Sequence, residues 1–112
     1  MNKKQVFEIL NKVGIPCDLK GRDYIETAIE LVYENSNISV TNELYPKIAE
    51  IYNTTPSKVE RAIRHAIETS FDSSNECLTE IFGNTINQKS GKTANGKFIF
   101  GVVKYLKVMC EE

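Results

Sequence analysis

Apolar residues recur at helical spacing along nearly the whole of this 112-residue chain, and no stretch alternates apolar and polar residues over the length of a strand. The repeats are interrupted by residue types that end helices, such as Gly14, Gly83 and the polar run at 35–37. Asn95-Gly96 can form a hairpin turn, but its neighbours are typical of a helix start. The pattern therefore predicts an all-α domain, winged-helix-like but without clear strands.

Capping residues divide this domain into six predicted helices. The first ends at Gly14, the second extends from near Gly21 to Asn35, and the third covers about Asn42 to Tyr52. The fourth begins at Pro56, capped by Thr55, and reaches about Phe71. A short fifth helix follows the capping box at 73–76 and ends at Gly83, and the last helix follows a polar loop at 84–93.

The composition is that of one soluble globular domain, which we expect to span residues 1–112. Apolar residues make up 41% of the chain and charged residues 26%. No apolar run approaches the ~18 residues that a membrane span needs, and the amino terminus has no signal-type apolar block. We therefore expect a cytoplasmic protein that does not bind membranes.

The chain offers little for catalysis or for a metal site. Its three cysteines, Cys17, Cys77 and Cys110, lie far apart and are predicted to be buried, inert thiols. His65 is the single histidine, so no His/Cys cluster can fill a tetrahedral metal site. No glycine-rich phosphate loop or catalytic triad pattern is present. We expect no cofactor and no enzymatic activity.

Charge is unevenly distributed although the net charge is only −1. Residues 18–50 contain seven acidic and three basic side chains, whereas residues 84–107 contain five lysines and no acid. Such a dipolar chain can present a basic face to a phosphate backbone. An ordinary solvated lysine face explains the same distribution equally well.

The fourth predicted helix has the most informative pattern. On a helical wheel its apolar residues fill one arc of roughly 140°, namely Val59, Ala62, Ile63, Ala66 and Ile67, joined by Ser70. The opposite arc is continuous and polar, containing Ser57, Lys58, Glu60, Arg61, Arg64, His65 and Glu68. The helix therefore presents long hydrogen-bonding side chains to whatever lies outside the domain.

Tyr45 to Arg64 fits the pattern of a helix-turn-helix motif formed by the third and fourth helices. Ala49 falls where the two helices touch, and Asn53 falls at the turn position usually held by glycine. Such a motif places the first turns of its second helix in the major groove of DNA. Lys58, Glu60 and Arg61 would then contact bases, and Arg64 and His65 would reach phosphates. A solvated helix with i,i+4 ion pairs is the alternative explanation.

The same segment resembles a known family. The block Leu44-Tyr45-Pro46-x-Ile48-Ala49 and the run from Tyr52 to Glu68 are closely similar to the carboxy-terminal effector domain of the stage 0 sporulation protein A family. Further matches include Gly14-Ile15-Pro16, Lys20-Gly21, Leu78-x-x-Ile81-Phe82-Gly83 and Phe98-Ile99. The resemblance covers about Val6 to Leu106.

The resemblance implies a six-helix DNA-binding domain of a transcription regulator from endospore-forming bacteria, which recognises a TGTCGAA-like box, often in tandem. Lys58, Glu60 and Arg61 would contact bases. Ser57, Arg64, His65, Thr93, Asn95 and Lys97 would contact the DNA backbone. The region from Asn75 through Leu78 to Phe82 corresponds to the family's contact with an RNA polymerase sigma factor.

The sequence also departs from the family pattern. Lys58 replaces an arginine, so a bidentate donor to guanine becomes a single-point donor. Ala94 and Gly96 alter a loop that the family writes as Pro-Thr-Asn-Ser. The family's receiver domain is absent from the 112 residues, so we expect either an isolated effector domain or a stand-alone paralogue. A helix-turn-helix module that binds a sigma factor or a regulator instead of DNA is the second functional hypothesis.

Overall fold

A computed structural model describes residues 2–70 and 95–110, and every regular element in these two ranges is helical. The elements are α1 (Lys3–Val13), α2 (Lys20–Glu34), a π-helical turn (Val40–Leu44), α3 (Tyr45–Ile51), α4 (Pro56–Ser70) and α5 (Asn95–Cys110). The all-α prediction is confirmed for this part of the chain. The predicted fifth helix and the loop at 84–93 lie outside the described residues.

Local capping fixes both ends of α1, of which the sequence pattern predicts the one at Gly14. The Asn2 side chain accepts from the Gln5 backbone N–H at 2.9 Å, and the Gln5 side chain accepts from the Asn2 backbone N–H at 2.8 Å. At the other end Gly14 has φ 94°, a left-handed conformation that glycine adopts without a Cβ clash. The predicted end of the first helix is confirmed.

The third helix begins later than predicted. The α-helical part starts at Tyr45, and the preceding residues form the π-helical turn, in which Leu44 N–H donates to the Ser39 carbonyl at 2.9 Å. Pro46, which has no N–H to donate to the Asn42 carbonyl, follows this turn at the start of α3. The segment predicted as a helix from about Asn42 is therefore helical throughout, but its α-helical part begins only at Tyr45.

The core lies between α2, α4 and α5, with α1 packed on α2 and α3 packed on α4. α2 contacts both of the other long helices, so it is the central element of the described fold. The buried apolar side chains include Ile25, Ile29, Ile63, Ile67, Phe98 and Ile99, each at most 1% exposed. Burial of these residues holds α4 in place with its opposite face exposed.

Arg22 is a buried charge that joins α1 to α2. Its side chain is 2% exposed, and its guanidinium donates to the carbonyls of Ile15 at 2.6 Å and Phe7 at 3.1 Å. Further bonds reach the side-chain oxygens of Asn11 and Glu26, each at 3.1 Å. Arg22 therefore ties α2 to α1 and to the connection that follows α1.

Cys17 corrects the prediction for the cysteines. It is exposed, and its Sγ lies 3.7 Å from Oδ1 of Asn11. Residue 17 falls in the short connection between α1 and α2. The side chains of Cys77 and Cys110 lie outside the described residues.

None of the helices formed by the described residues is both long enough and apolar enough to span a membrane.

Candidate nucleic-acid interface

The start of α4 is fixed by the local signal that the sequence carries. The Thr55 hydroxyl accepts from the Lys58 backbone N–H at 3.3 Å, and Pro56 occupies the first helical position. The Val59 N–H donates to the Thr55 carbonyl at 3.0 Å, which closes the first turn. The predicted cap and start are confirmed, and α4 is helical as far as Ser70, the last residue described before the predicted end.

A tight connection joins α3 to α4. Asn53 has φ 55°, the left-handed conformation expected at this position, and the Thr54 N–H donates to the Ala49 carbonyl at 2.9 Å. Tyr52 fastens the connection to α2: its hydroxyl lies 2.7 Å from the Thr27 hydroxyl, and its ring packs edge-on against Tyr24 at 5.0 Å. The connection between α3 and α4 is therefore held by its own hydrogen bond and by the contacts of Tyr52 with α2.

The two faces of α4 are divided as the wheel predicts. The apolar arc is buried, and its member Ala62 is the one that keeps partial exposure. We call the opposite side the polar face of α4, formed by the exposed residues Ser57, Lys58, Arg61, Arg64, His65 and Glu68. Every base-contacting or backbone-contacting residue predicted on this helix lies on that face or, for Glu60, at its edge.

Glu60 and Arg64 form an ion pair along the edge of this face. Arg64 Nη1 lies 2.8 Å from Glu60 Oε1, with side-chain exposures of 54% and 33%. Such an exposed i,i+4 pair contributes only about 0.3–0.5 kcal/mol. The pair predicted by the alternative explanation thus exists, but it is weak enough to be exchanged for contacts to another molecule.

On one side α4 is flanked by the amino-terminal end of α2, and we call this the α2 flank. Gly21 is buried against α4 so closely that an added Cβ would overlap the Ala62 carbonyl and lie 2.8 Å from Ala66 Cβ. An open cleft of about 430 Å³ lies beside this contact, lined by Lys20, Tyr24, Tyr52, Asn53, Thr54, Lys58 and Ala62. Lys20 and Lys58, from different helices, therefore border one cleft.

On the other side α4 is flanked by the first turn of α5, and we call this the α5 flank. Asn95 is 8% exposed, and its Nδ2 donates to the Tyr45 hydroxyl and to the Glu60 backbone carbonyl, each at 3.1 Å. Two residues further on, Lys97 is exposed. The Asn95 amide thus binds α5 to both α3 and α4, an internal role that residue type and position alone did not predict.

Tyr45 lies inside the α5 flank. Burial raises the pKa of its phenol above the ordinary value of 10.0, and the nearby Glu60 carboxylate raises it further, while the hydrogen bond from Asn95 and the charge of Arg64 act in the opposite direction. The phenol is 8% exposed. Tyr45 is therefore neutral at physiological pH and serves as a hydrogen-bond acceptor between helices.

Some predicted site residues fall where the structure gives no description. Thr93 and the predicted sigma-factor contacts Asn75, Leu78 and Phe82 lie outside the described residues. Within residues 2–70 and 95–110, no group of three or more His, Cys, Asp and Glu side chains is arranged to hold a metal ion.

Comparison with known protein families agrees with these features. Residues 6–106 match the family described as the C-terminal domain of the sporulation initiation factor Spo0A. The match spans almost the whole chain, from Val6 in α1 to Leu106 in α5. The resemblance noted from the sequence is therefore confirmed. The chain belongs to the Spo0A C-terminal domain family, and as such it is a DNA-binding effector domain of transcription regulation in sporulation, not an enzyme.

Proposed function

We propose that Tyr45 to Arg64 acts as a helix-turn-helix and that α4 enters the major groove of a TGTCGAA-like box. The observation that carries this proposal is the polar face of α4, which is exposed while both edges of the helix are packed against other elements. The left-handed Asn53 and the tight connection are typical of such motifs. The box sequence comes from the family resemblance.

Three residues are proposed to contact bases. Arg61 is exposed on the polar face and can donate to O6 and N7 of guanine through two parallel hydrogen bonds. Lys58, also exposed, can donate to one guanine acceptor at a time. Glu60 can accept from N4 of cytosine once Arg64 releases it. Because the Glu60–Arg64 pair is weak, a phosphate that binds Arg64 frees the Glu60 carboxylate at little cost.

The remaining predicted residues are proposed to contact the DNA backbone. Ser57, Arg64 and His65 lie exposed on the polar face, and Lys97 lies exposed on the first turn of α5. Asn95 needs a different assignment within this group. Both hydrogens of its side-chain amide are engaged by Tyr45 and Glu60, so we assign any phosphate contact at this residue to its backbone N–H.

The first test is fluorescence anisotropy with a duplex carrying two TGTCGAA-like boxes and with a scrambled duplex, over a salt series. We expect tighter binding to the boxes and an affinity that falls as salt rises, because phosphate contacts release counterions. Equal binding to both duplexes would contradict the assignment of base contacts to α4.

The second test compares two variants in the same assay. Arg61→Ala should weaken binding to the boxes by about 1–3 kcal/mol and reduce the preference over the scrambled duplex, because a base contact is lost. Lys97→Ala should weaken binding to both duplexes alike. The slope of log K against log salt should become shallower by about 1, the contribution of one phosphate contact. Unchanged box preference in Arg61→Ala would mean that α4 enters the groove in another register.

The protein-interaction hypothesis predicts a different result. If neither duplex binds at low salt, a helix-turn-helix module that docks on a sigma factor or a regulator explains the fold better. Binding to purified sigma factor would then resist salt, since apolar docking releases few counterions. Contact with a sigma factor remains part of the proposal and depends on residues 75–82. Tandem binding to paired boxes is also proposed and depends on the spacing of the boxes.

A further inference from the structure

We propose that Lys20 is a DNA-backbone contact on the α2 flank, binding a phosphate of the strand opposite to the one approached by Lys97. The proposal rests on the proposed placement of α4 in the major groove. Lys20 lies outside the predicted helix-turn-helix and is absent from the predicted contact residues. What brings it to the interface is the packing of α2 on α4.

The contact at Gly21 fixes the position of Lys20. An added Cβ on Gly21 would overlap the Ala62 carbonyl, so the backbones of α2 and α4 leave no room for a side chain at this point. Lys20 is the adjacent residue, it is exposed, and it borders the same cleft as Lys58. The first turn of α2 is thereby held beside the first turns of α4.

The cleft has the chemistry that a phosphate needs. Of the described residues that line it, the charged ones are Lys20 and Lys58, and Asn53 and Thr54 add polar side chains. Its volume is about 430 Å³ and it is open to solvent, so an oxyanion on a large polymer can reach it. The Lys20 ammonium can then donate to a phosphodiester at this cleft, while Lys58 keeps its proposed base contact.

The location on α4 decides which strand is involved. At 3.6 residues per turn, Lys58 and Glu60 are roughly 160° apart around the helix. Lys58 borders the α2 flank and Glu60 is bound by Asn95 on the α5 flank. A helix in the major groove has one sugar-phosphate backbone on each side, so the two flanks face different strands.

The test uses three variants of the full chain in the anisotropy assay. Lys20→Gln removes the charge, Lys20→Arg keeps it, and Lys4→Gln removes an equally exposed lysine from α1 as a matched control. We expect Lys20→Gln to make the negative slope of log K against log salt shallower by about 0.9, the contribution of one phosphate. Lys20→Arg and Lys4→Gln should keep the wild-type slope, and the preference for the boxes should not change.

Neutral methylphosphonates placed singly along each strand locate the phosphate. Wild-type protein should lose affinity at one position on the strand opposite to that of Lys97, and Lys20→Gln should show no further loss there. The proposal for Lys20 would be overturned if the affinity losses from each methylphosphonate and from Lys20→Gln added at every position. It would also be overturned if Lys20→Gln kept the wild-type salt slope. Either result would leave the proposed function of α4 intact. Absence of wild-type binding to any duplex would overturn both.

Discussion

The two flanks of α4 hold the same helix by opposite physical means. On the α2 flank, Gly21 has no side chain and lets two backbones meet. On the α5 flank, Asn95 fills the gap and satisfies a phenol and a backbone carbonyl with its amide. One flank depends on the absence of atoms, and the other depends on two hydrogen-bond donors.

This difference determines which changes each flank tolerates. A close backbone contact has no room for a methyl group, because its neighbour is a carbonyl that cannot rotate away. A hydrogen-bonded contact tolerates changes nearby but not the loss of its donor, since buried acceptors are then left unpaired. The polar face of α4 lies between the two flanks and packs against neither, so its side chains can change without disturbing either contact.

The largest effect is expected from Gly21→Ala. The new methyl group would overlap the Ala62 carbonyl, so α2 and α4 must separate, at a cost of about 3 kcal/mol. The higher helix propensity of alanine offsets only ~1 kcal/mol of this. Urea unfolding should show the loss of stability, and DNA affinity should fall because Lys20 and Lys58 move apart.

Gly96→Ala is the matched control for that change. Gly96 lies in α5, and an added Cβ would have ordinary contact with Val40 Cγ2 at 3.5 Å. Here alanine should be neutral or stabilise the fold by up to ~1 kcal/mol. Equal destabilisation by both variants would mean that the close backbone contact at Gly21 is not what positions α2 against α4.

A smaller effect is expected from Asn95→Ala. Removing the amide takes away the bond that the Tyr45 hydroxyl accepts and the bond that the Glu60 carbonyl accepts from outside its own helix, at a cost of about 1–2 kcal/mol. Because α5 is then less firmly placed, the contribution of Lys97 to DNA binding should shrink. Salt-dependent anisotropy of Asn95→Ala, Lys97→Ala and the double variant measures this.

The double variant decides the role of Asn95. If Asn95 positions Lys97, the loss of affinity in the double variant is smaller than the sum of the single losses. Strict additivity would instead show that the two residues act on DNA separately. In that case the Asn95 side chain would itself be counted among the residues that contact the DNA backbone.

The smallest effect concerns pH and Tyr45. Because burial raises the pKa of the Tyr45 phenol, the folded state holds this proton more tightly than the unfolded state, whose pKa is near 10.0. The resulting contribution to stability is complete below that pH and is lost as the pH rises above it. Tyr45→Phe should therefore lose less stability than wild type between about pH 8 and about pH 11. An identical loss in both proteins would contradict a buried, neutral phenol.

Local physical chemistry, readable in the sequence, determined much of this protein. Thr55 and Pro56 specify the start of α4, Asn53 specifies the left-handed turn, and Gly14 ends α1, because capping and backbone preference act over a few residues. The 3.6-residue period of α4 by itself separates its buried arc from its polar face. Family resemblance added the DNA-binding function.

Tertiary structure alone decided how α4 is held and which further residues lie beside it. Arg22 is buried by contact with α1, Asn95 by contact with Tyr45 and Glu60, and Lys20 reaches α4 through Gly21. These partners are between 7 and 50 residues apart in the chain. No local pattern encodes such pairings, because they depend on which helix faces meet when the core is buried.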